Sequence, residues 1–434
     1  MAAMSKIATG NGHGENSPYF EGWKAYETNP FHPVDRPDGV IQMGLAENQL
    51  CLDIVKKWLV KHPEASFCTA QGVSKFKETA LFQDYHGMPE FRGAVAKFMG
   101  KVRGDRVKFD PERIVMSGGA TGAHEIVAFP WPILVKRFSF PLLISQVNCE
   151  SCNNFNITGD ALEAAYVKAQ EANLRVKGLL LTNPSNPLGT ILDRDTLKNV
   201  VKFINQKNIH LIGDEIYAAT VFMEPEFGIV YSYNDAVVSC ARKMSSFGLV
   251  SSQTQYLIAS LLSDDDFVDN FISESRELLF KRHKYFTWSL SQVGIGSLKS
   301  MRGCLYGWIC ANYSKTRHSK RKWSCGGFIN EVKLNVSPGS SFHCDEPGWF
   351  RVCFANMDDS TMQVALSRIR SFVVKNNEAM VPPRKLCRRS SLKLSLSRRM
   401  DDLMSRASCP PTLRYLNRHW FEPGLERKKN PRKS

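Results

Sequence analysis

The chain has 434 residues, of which 43% are hydrophobic and 23% charged, and its formal net charge is +15. This composition is typical of a globular protein, and the length allows one large domain or two to three ordinary ones. The polar, glycine-rich start argues against a secretory signal, and the charges and prolines in the most apolar window, Ile126 to Val147, argue against a membrane span. We therefore expect a cytoplasmic protein with no membrane partner.

The positive charge is concentrated at the C-terminal end. Residues 384 to 434 contain 15 Lys and Arg against 4 Asp and Glu, so they carry +11 of the net charge. Such basic runs are usually solvated and flexible, and we expect a tail over 381–434 and no nucleic-acid partner. Among the twelve cysteines, Cys149 and Cys152 have metal-like spacing but no second pair. We expect reduced thiols and no metal site.

The first section of the chain predicts an arm. Residues 1–16 are expected to be disordered, and residues 17–75 to pack on another part of the fold through aromatic anchors and the amphipathic segment Leu52 to Leu59. Gly44 to Gln49 follows an apolar strand, which places Glu47 at the mouth of a site. The alternative is a solvated turn.

A run of small residues, Ser117 to Ala123, is typical of a turn that binds an anion. The strand predicted over Arg113 to Met116 is followed by Ser117 to Ala123, SGGATGA, which lacks the Rossmann pattern. Small residues let backbone N–H groups approach an anion at a helix N-terminus, so this turn is a candidate phosphate cradle. The alternative is a tight strand-to-helix turn without a ligand.

The stretch from Gly178 to Tyr217 predicts a βαβ unit. An apolar strand opens into Asn183-Pro-Ser-Asn-Pro-Leu-Gly189, a helix follows with apolar residues at i, i+3, i+4 and i+7, and His210 to Gly213 returns as a second buried strand. Asp214, Tyr217 and Asn186 would then meet at the carboxyl end of a parallel sheet, where they suit a pyridine ring. The alternative is that Asp214 only caps the next helix and that the Asn-Pro pairs only turn the chain.

Together these motifs identify a family. The blocks that carry the resemblance are GLAENQL from Gly44, FQDYHGMPEFR from Phe82, SGGATGAHE from Ser117, NPSNPLG from Asn183, GDEIY from Gly213, INEVKLNVSPGSSFHC from Ile329 and PGWFRVCFANM from Pro347. In this order, over most of Ser17 to Val373, they resemble the plant 1-aminocyclopropane-1-carboxylate (ACC) synthases, pyridoxal 5'-phosphate (PLP) enzymes of the aspartate aminotransferase fold. The resemblance implies an α/β fold with a mostly parallel sheet in a large PLP-binding domain over 76–270, and a small α/β domain formed by 271–380 together with 17–75. We expect the parallel sheet to contain the strands near Arg113 and Gly178 and the one before Asp214.

The resemblance also implies an activity and roles for individual residues. ACC synthases convert S-adenosyl-L-methionine to ACC and methylthioadenosine in ethylene biosynthesis. By position in the motifs, Arg351 would bind the substrate carboxylate and Glu47 would lie near the substrate. The cofactor groups would be Asp214 at the ring nitrogen, Tyr217 and Asn186 at the ring oxygen, and the Ala120 and Thr121 amides at the phosphate. Tyr85 would reach the phosphate of a partner subunit, so a homodimer is implied.

Two patches depart from the family in a way that indicates a shifted reading frame. Trp131 to Ile144, WPILVKRFSFPLLI, is the one-nucleotide-shifted reading of codons for the family-like peptide LADPGEAFLVPTPY. Ile309 to Gly327 is likewise a shifted reading of family-like sequence, which resumes at Phe328. We expect both patches to pack poorly, and their basic and cysteine-rich character indicates nothing about ligands.

The third departure removes the Schiff-base lysine. Phe227 joins Gly228 directly, although the family has a long segment there with the motif SLSKDxGxPGxRVG. The lysine, its neighbouring serine and a phosphate-binding arginine are absent, and Lys243 lies in a different motif on a predicted helix. Without a lysine neither the covalent link to PLP nor its general base can form, so we expect the polypeptide as written to make no ACC.

Three hypotheses stay open from sequence. The chain is an active ACC synthase whose exon boundaries are misassigned, a truncated pseudoenzyme that dimerises with itself or with intact relatives, or a basic interaction module driven by its tail. The tail mixes hydroxyls with arginines and resembles the family's phosphorylated C-terminal region, with Ser395 and Ser397 as candidate sites for a protein kinase. An unmodified basic end is the alternative.

Overall fold

The computed structural model describes residues 18–128, 155–218, 228–298, 306–310, 327–342, 344 and 346–378. All of them belong to one unit, Met1–Met380. The patch Trp131 to Ile144, residues 311–326 of the second patch, the first 17 residues and the tail lie outside the described residues. Within the described part, no helix is both long enough and apolar enough to span a membrane.

Helices and strands are mixed along the chain, as expected for an α/β fold. The helices are α1 (Pro18–Thr28), α2 (Leu52–Lys61), α3 (Phe76–Ala80), α4 (Pro89–Val102), α5 (Gly119–Ala128), α6 (Gly159–Glu171), α7 (Arg194–Lys207), α8 (Asp235–Met244), α9 (Ser252–Ser263), α10 (Asp265–Ser291) and α11 (Asp359–Glu378). The strands are β1 (Ile41–Gln42), β2 (Ile114–Ser117), β3 (Gly178–Thr182), β4 (His210–Asp214), β5 (Gly228–Tyr231), β6 (Gly296–Ser297), β7 (Tyr306–Cys310), β8 (Leu334–Asn335), β9 (Ser337–Pro338) and β10 (Trp349–Cys353).

The βαβ unit predicted from the sequence is present. β3 and β4 pair in parallel, from Gly178 opposite His210 to Thr182 opposite Asp214. Between them α7 begins at Asp193, whose carboxylate accepts a hydrogen bond from the Thr196 amide at 2.7 Å, as an N-cap residue does. The apolar face of α7 buries Val200 and Phe203 against β3 and α6. This packing fixes the carboxyl ends of both strands on one side.

Two expectations about this sheet were wrong. His210 to Gly213 was expected to be a buried strand, but Leu211 is 40% exposed and Ile212 is only half-buried. The strand near Arg113 was expected in the same sheet, but β2 pairs antiparallel with β5, and among the described residues β4 pairs only with β3. Among the described residues the pair β2-β5 and the pair β3-β4 are therefore separate two-stranded sheets.

The largest hydrophobic cluster forms around β10. This strand lies between β7 and β9 in a four-stranded antiparallel sheet ordered β6-β7-β10-β9, in which Ile309 and Cys310 pair with Phe350 and Trp349. Buried residues of α10 and α11 pack on this sheet, and the pairing of β1 with β8 brings Ile41 and Met43 into the same cluster. The N-terminal arm therefore packs on residues from the last third of the chain. The domain boundaries themselves stay predictions.

Candidate functional site

Arg351 on β10 lies at the centre of the candidate site. Its side chain is only 6% exposed, and its guanidinium lies 4.7 Å from the ring centroid of Phe342. Nη1 donates to Asn186 Oδ1 at 3.0 Å, and Nη2 donates to the carbonyl of Gly44 at 2.7 Å. A buried guanidinium needs such partners because removing its charge from water is costly. Arg351 thus connects β10 to the loop after β3 and to the arm after β1.

Asp214 is the last residue of β4, and its two carboxylate oxygens contact different partners. Oδ1 accepts a hydrogen bond from the Ile216 amide at 3.2 Å, and the described residues that follow, 215–218, form a turn and not the helix that Asp214 would cap in the alternative interpretation. Oδ2 lies 3.6 Å from Nε2 of His124 on α5. The backbone carbonyl of Asp214 accepts from the Asn183 amide at 2.9 Å. The carboxylate therefore lies between the Asn-Pro loop and α5.

His124 is a site residue that the sequence analysis missed. It follows Thr121 by three positions, so helical periodicity places both on the same side of α5. That spacing was the sequence signal that could have indicated His124 as a site residue. Its contact with Asp214, however, depends on the tertiary fold, which brings α5 beside β4.

The candidate phosphate cradle is the first turn of α5. Gly119 has a φ of 72°, a left-handed conformation that favours glycine, and the helix runs on through Ala120 and Thr121. The amides of a first turn have no partner within their own helix, and the helix dipole adds positive potential there. The Ser117 hydroxyl donates to the Gly119 carbonyl at 3.3 Å and stabilises the turn. This turn can accept an anion, and the contact between His124 and Asp214 shows that it lies beside the β4 end.

Glu47, Tyr217 and Tyr85 occupy three different environments. Glu47 is half-buried, and its carbonyl accepts a hydrogen bond from the Cys353 thiol, two residues beyond Arg351. Tyr217 is 9% exposed and belongs to the cluster around β10. Tyr85 is 49% exposed, as a residue that meets a partner subunit would be in a single chain. The roles of these three residues stay predictions.

Lys243 shows no sign of replacing the missing lysine. It lies in the last turn of α8 with an exposed side chain, and its carbonyl accepts from Ser246 Oγ at 2.9 Å. Ser395 and Ser397 lie outside the described residues.

The residues present fit a part of PLP. The α5 turn suits a phosphate, and Asp214 at the end of β4 suits a ring nitrogen that carries a proton. No lysine is present to bind PLP covalently, because the family segment that carries this lysine is absent from the sequence. The site therefore does not fit covalently held PLP.

Comparison with known proteins agrees with this geometry. The family model for aminotransferase class I and II matches residues 40–228 and 226–369, so it breaks where Phe227 joins Gly228. Among solved structures, the chain resembles an alanine aminotransferase from Pyrococcus furiosus, with a TM-score of 0.64 and 16% identity over 86% of this chain and 100% of the other. It also resembles a Thermus thermophilus aspartate aminotransferase mutant, with a TM-score of 0.62 and 14% identity over 86% and 100% of the two chains. Identities this low show the fold alone.

Curated relatives give the closer relationship. A 1-aminocyclopropane-1-carboxylate synthase of Glycine max is 53% identical over 94% of this chain and 96% of its own length. 1-Aminocyclopropane-1-carboxylate synthase 6 of Arabidopsis thaliana is 54% identical over 92% of this chain and 93% of its own. Since 94% of 434 residues is about 408, about 57 of the 465 aligned positions in the Glycine max protein have no counterpart here. The chain belongs to the aminotransferase class I and II family, which is PLP-dependent, and within it to the 1-aminocyclopropane-1-carboxylate synthases.

Proposed function

We propose that Arg351 is the carboxylate-binding residue of an ACC synthase site for S-adenosyl-L-methionine. The observation that carries this proposal is the buried guanidinium, held in place by Gly44 and Asn186. Its planar fork matches a carboxylate with two parallel hydrogen bonds. The substrate carboxylate would replace Asn186 Oδ1 at Nη1, and the Asn186 amide would become available to the cofactor.

The remaining groups divide between the substrate and the cofactor. Asp214, held between His124 and the Ile216 amide, would bind the ring nitrogen of PLP, and the Ala120 and Thr121 amides its phosphate. Tyr217 and Asn186 would bind the ring oxygen, Glu47 would lie near the substrate, and Tyr85 would reach the phosphate of a partner subunit. These roles follow from motif position and are supported by the proximity of α5, β4 and the loop after β3.

The polypeptide as written binds without catalysing. The lysine that would hold the cofactor and move the α-proton is absent, and no step of the reaction can be assigned to another described residue. We propose that a chain in which the missing segment is restored makes ACC for ethylene biosynthesis. The present chain is then a pseudoenzyme that dimerises with itself or with intact relatives. The break in the family match at 226–228 supports this division.

Binding of S-adenosyl-L-methionine tests the role of Arg351 without catalysis. We expect Arg351→Lys to weaken binding about tenfold or more in calorimetry, because lysine keeps the charge but not the fork. Arg370→Lys, at an exposed position of α11, is the matched control and should bind like the unmodified chain. Methylthioadenosine has no carboxylate, so its affinity should not change in either variant. Equal affinity of Arg351→Lys and the unmodified chain for S-adenosyl-L-methionine would refute the assignment.

For the tail we propose regulation without a part in the chemistry. Its hydroxyls at Ser395 and Ser397 lie among arginines, and a phosphate there would add about −1.5 to −2 charges that offset them. We also propose a cytoplasmic location. Truncation after Val381 should leave binding of S-adenosyl-L-methionine unchanged and alter protein lifetime in plant extract. A loss of binding would show that the tail belongs to the site.

A further inference from the structure

The loop that carries Tyr85 is held by hydrogen bonds to three other elements of the fold. It spans residues 84–88 between α3 and α4. Three hydrogen bonds join its backbone to other elements: Arg92 Nε on α4 to the Gly87 carbonyl at 3.1 Å, the Met116 amide on β2 to the His86 carbonyl at 3.0 Å, and the Met88 amide to Gln255 Oε1 on α9 at 2.7 Å. Tyr85 projects outward from this held backbone.

His86 supplies the fourth connection, through its ring. The residue is 4% exposed, and its Nδ1 is hydrogen-bonded to the carboxylate of Asp84. Its Nε2 lies 2.9 Å from Nη2 of Arg242 on α8. A guanidinium can only donate, so Nε2 is the acceptor and carries no proton, and Nδ1–H donates to Asp84. This pair of bonds requires neutral imidazole.

The charged groups around the ring are Asp84 in the loop, Arg92 on α4, Glu112 before β2 and Arg242 on α8. Glu112 bridges the two arginines, with Oε1 2.7 Å from Arg92 Nη1 and Oε2 3.2 Å from Arg242 Nη2. Burial and the two arginines lower the pKa of His86, and the Asp84 carboxylate opposes them. Near neutral pH the ring is therefore uncharged, as its two hydrogen bonds require.

We infer that His86 is a positioning residue: as neutral imidazole it fastens the 84–88 loop to α8 and holds Tyr85 ready for a second subunit, and its protonation releases that connection. The idea that Tyr85 is held for a second subunit rests on the proposed function. The attachment of the loop to α8 through His86 rests only on contacts within one chain. A proton on Nε2 would face the Arg242 N–H groups, so the bond would be replaced by repulsion.

The direction of the pH dependence follows from the lowered pKa. The unfolded chain binds a proton at His86 near the ordinary histidine value of about 6.5, and the folded chain binds it only at lower pH. The contribution of His86 is therefore fully present above about pH 6.5 and is lost as the pH falls through and below that value. The loop should loosen on acidification.

Hydrogen–deuterium exchange of the full chain at pH 7.5 and 5.5, corrected for intrinsic rates, tests the inference. The reporters are the amides of His86, Gly87 and Met88, all hydrogen-bonded in the structure. We expect protection of these amides to fall about tenfold at pH 5.5 in the unmodified chain. His86→Gln keeps an acceptor for Arg242 but cannot take a proton, so its protection should not depend on pH. His86→Phe keeps the bulk without either bond and should leave these amides unprotected at both pH values.

The control variant is Tyr85→Phe, which removes the phenol and leaves the loop contacts intact. It should show the same pH-dependent protection as the unmodified chain. The exchange readout needs neither cofactor nor dimer, so failure of the proposed function would show instead as absent binding of S-adenosyl-L-methionine. The inference is overturned if the unmodified chain loses no protection at pH 5.5, if His86→Gln loses as much, or if His86→Phe remains protected.

Discussion

Replacing Arg282 tests how the residues directly after β10 are held in place. Arg282 on α10 is 7% exposed, and its Nη1 donates to the carbonyls of Phe354 and Met357 at 3.2 and 3.0 Å. Its Nη2 reaches Asp359 at 2.6 Å, although Asp359 itself is 87% exposed. Arg282→Met keeps the aliphatic length but removes the donor of two buried carbonyls, each worth about 1–3 kcal/mol. Since the methionine recovers some apolar contact, we expect a net loss of about 2–4 kcal/mol.

Urea unfolding measures this loss as a shift of the midpoint at constant slope. Asp359→Asn should cost less than about 1 kcal/mol, because the Asp359 side of this ion pair is 87% exposed and asparagine keeps an oxygen that can accept from Arg282. Arg276→Met, at an exposed position of the same helix, should change stability by no more than about 0.5 kcal/mol. If Arg282→Met costs under about 1 kcal/mol, or Asp359→Asn costs as much as Arg282→Met, the carbonyl contacts do not hold this turn.

Three other predictions concern the reactivity of cysteines, backbone strain at Lys333 and the exposed strand β4. Burial raises the pKa of the Cys353 thiol to about 11. Iodoacetamide at pH 8 should therefore label the exposed Cys68 but not Cys353 until the protein unfolds, and mass spectrometry of the peptides measures which cysteines are labelled. Lys333 is exposed and has a φ of 58°, so Lys333→Gly should stabilise the chain by about 0.5–1 kcal/mol in urea, and destabilisation would contradict this. Inserting the relatives' segment between Phe227 and Gly228 should increase exchange protection of Leu211, whereas unchanged protection would show that this segment does not cover β4.

The local parts of the site were predictable from the sequence. The βαβ unit follows from a helical apolar period between two apolar strands, and two prolines and a glycine end the first strand. The same local signals placed Asp214 at a strand end and the SGGATGA turn at a helix start. These features depend on residues close together in the chain, and the structure has them where the sequence puts them.

The long-range contacts were not predictable in the same way. Asn186 and Arg351 lie 165 positions apart, and His86 and Arg242 lie 156 apart. Neither separation leaves a periodic signal in the sequence. The exposure of β4 was missed because an apolar strand is buried only if another element covers it, and among the described residues β4 pairs with β3 alone. Asp214 and His124 likewise meet only through the packing of α5 beside β4.

The relationship to ACC synthases explains why family motifs occur on both sides of the point where Phe227 joins Gly228. The family model matches residues 40–228 and 226–369, and both Asp214 and Arg351 lie within these ranges. The binding roles proposed for Arg351 and Asp214 can therefore be tested separately from catalysis.

ACC formation from S-adenosyl-L-methionine in the presence of PLP shows whether this chain can catalyse without the lysine-bearing segment. We predict no ACC from the polypeptide as written, and ACC from a chain in which the reading frame of both patches and the lysine-bearing segment are restored. That activity should fall when the restored chain also carries Arg351→Lys. ACC formation by the unmodified polypeptide, abolished by Lys243→Ala, would contradict the claim that this chain lacks its catalytic base.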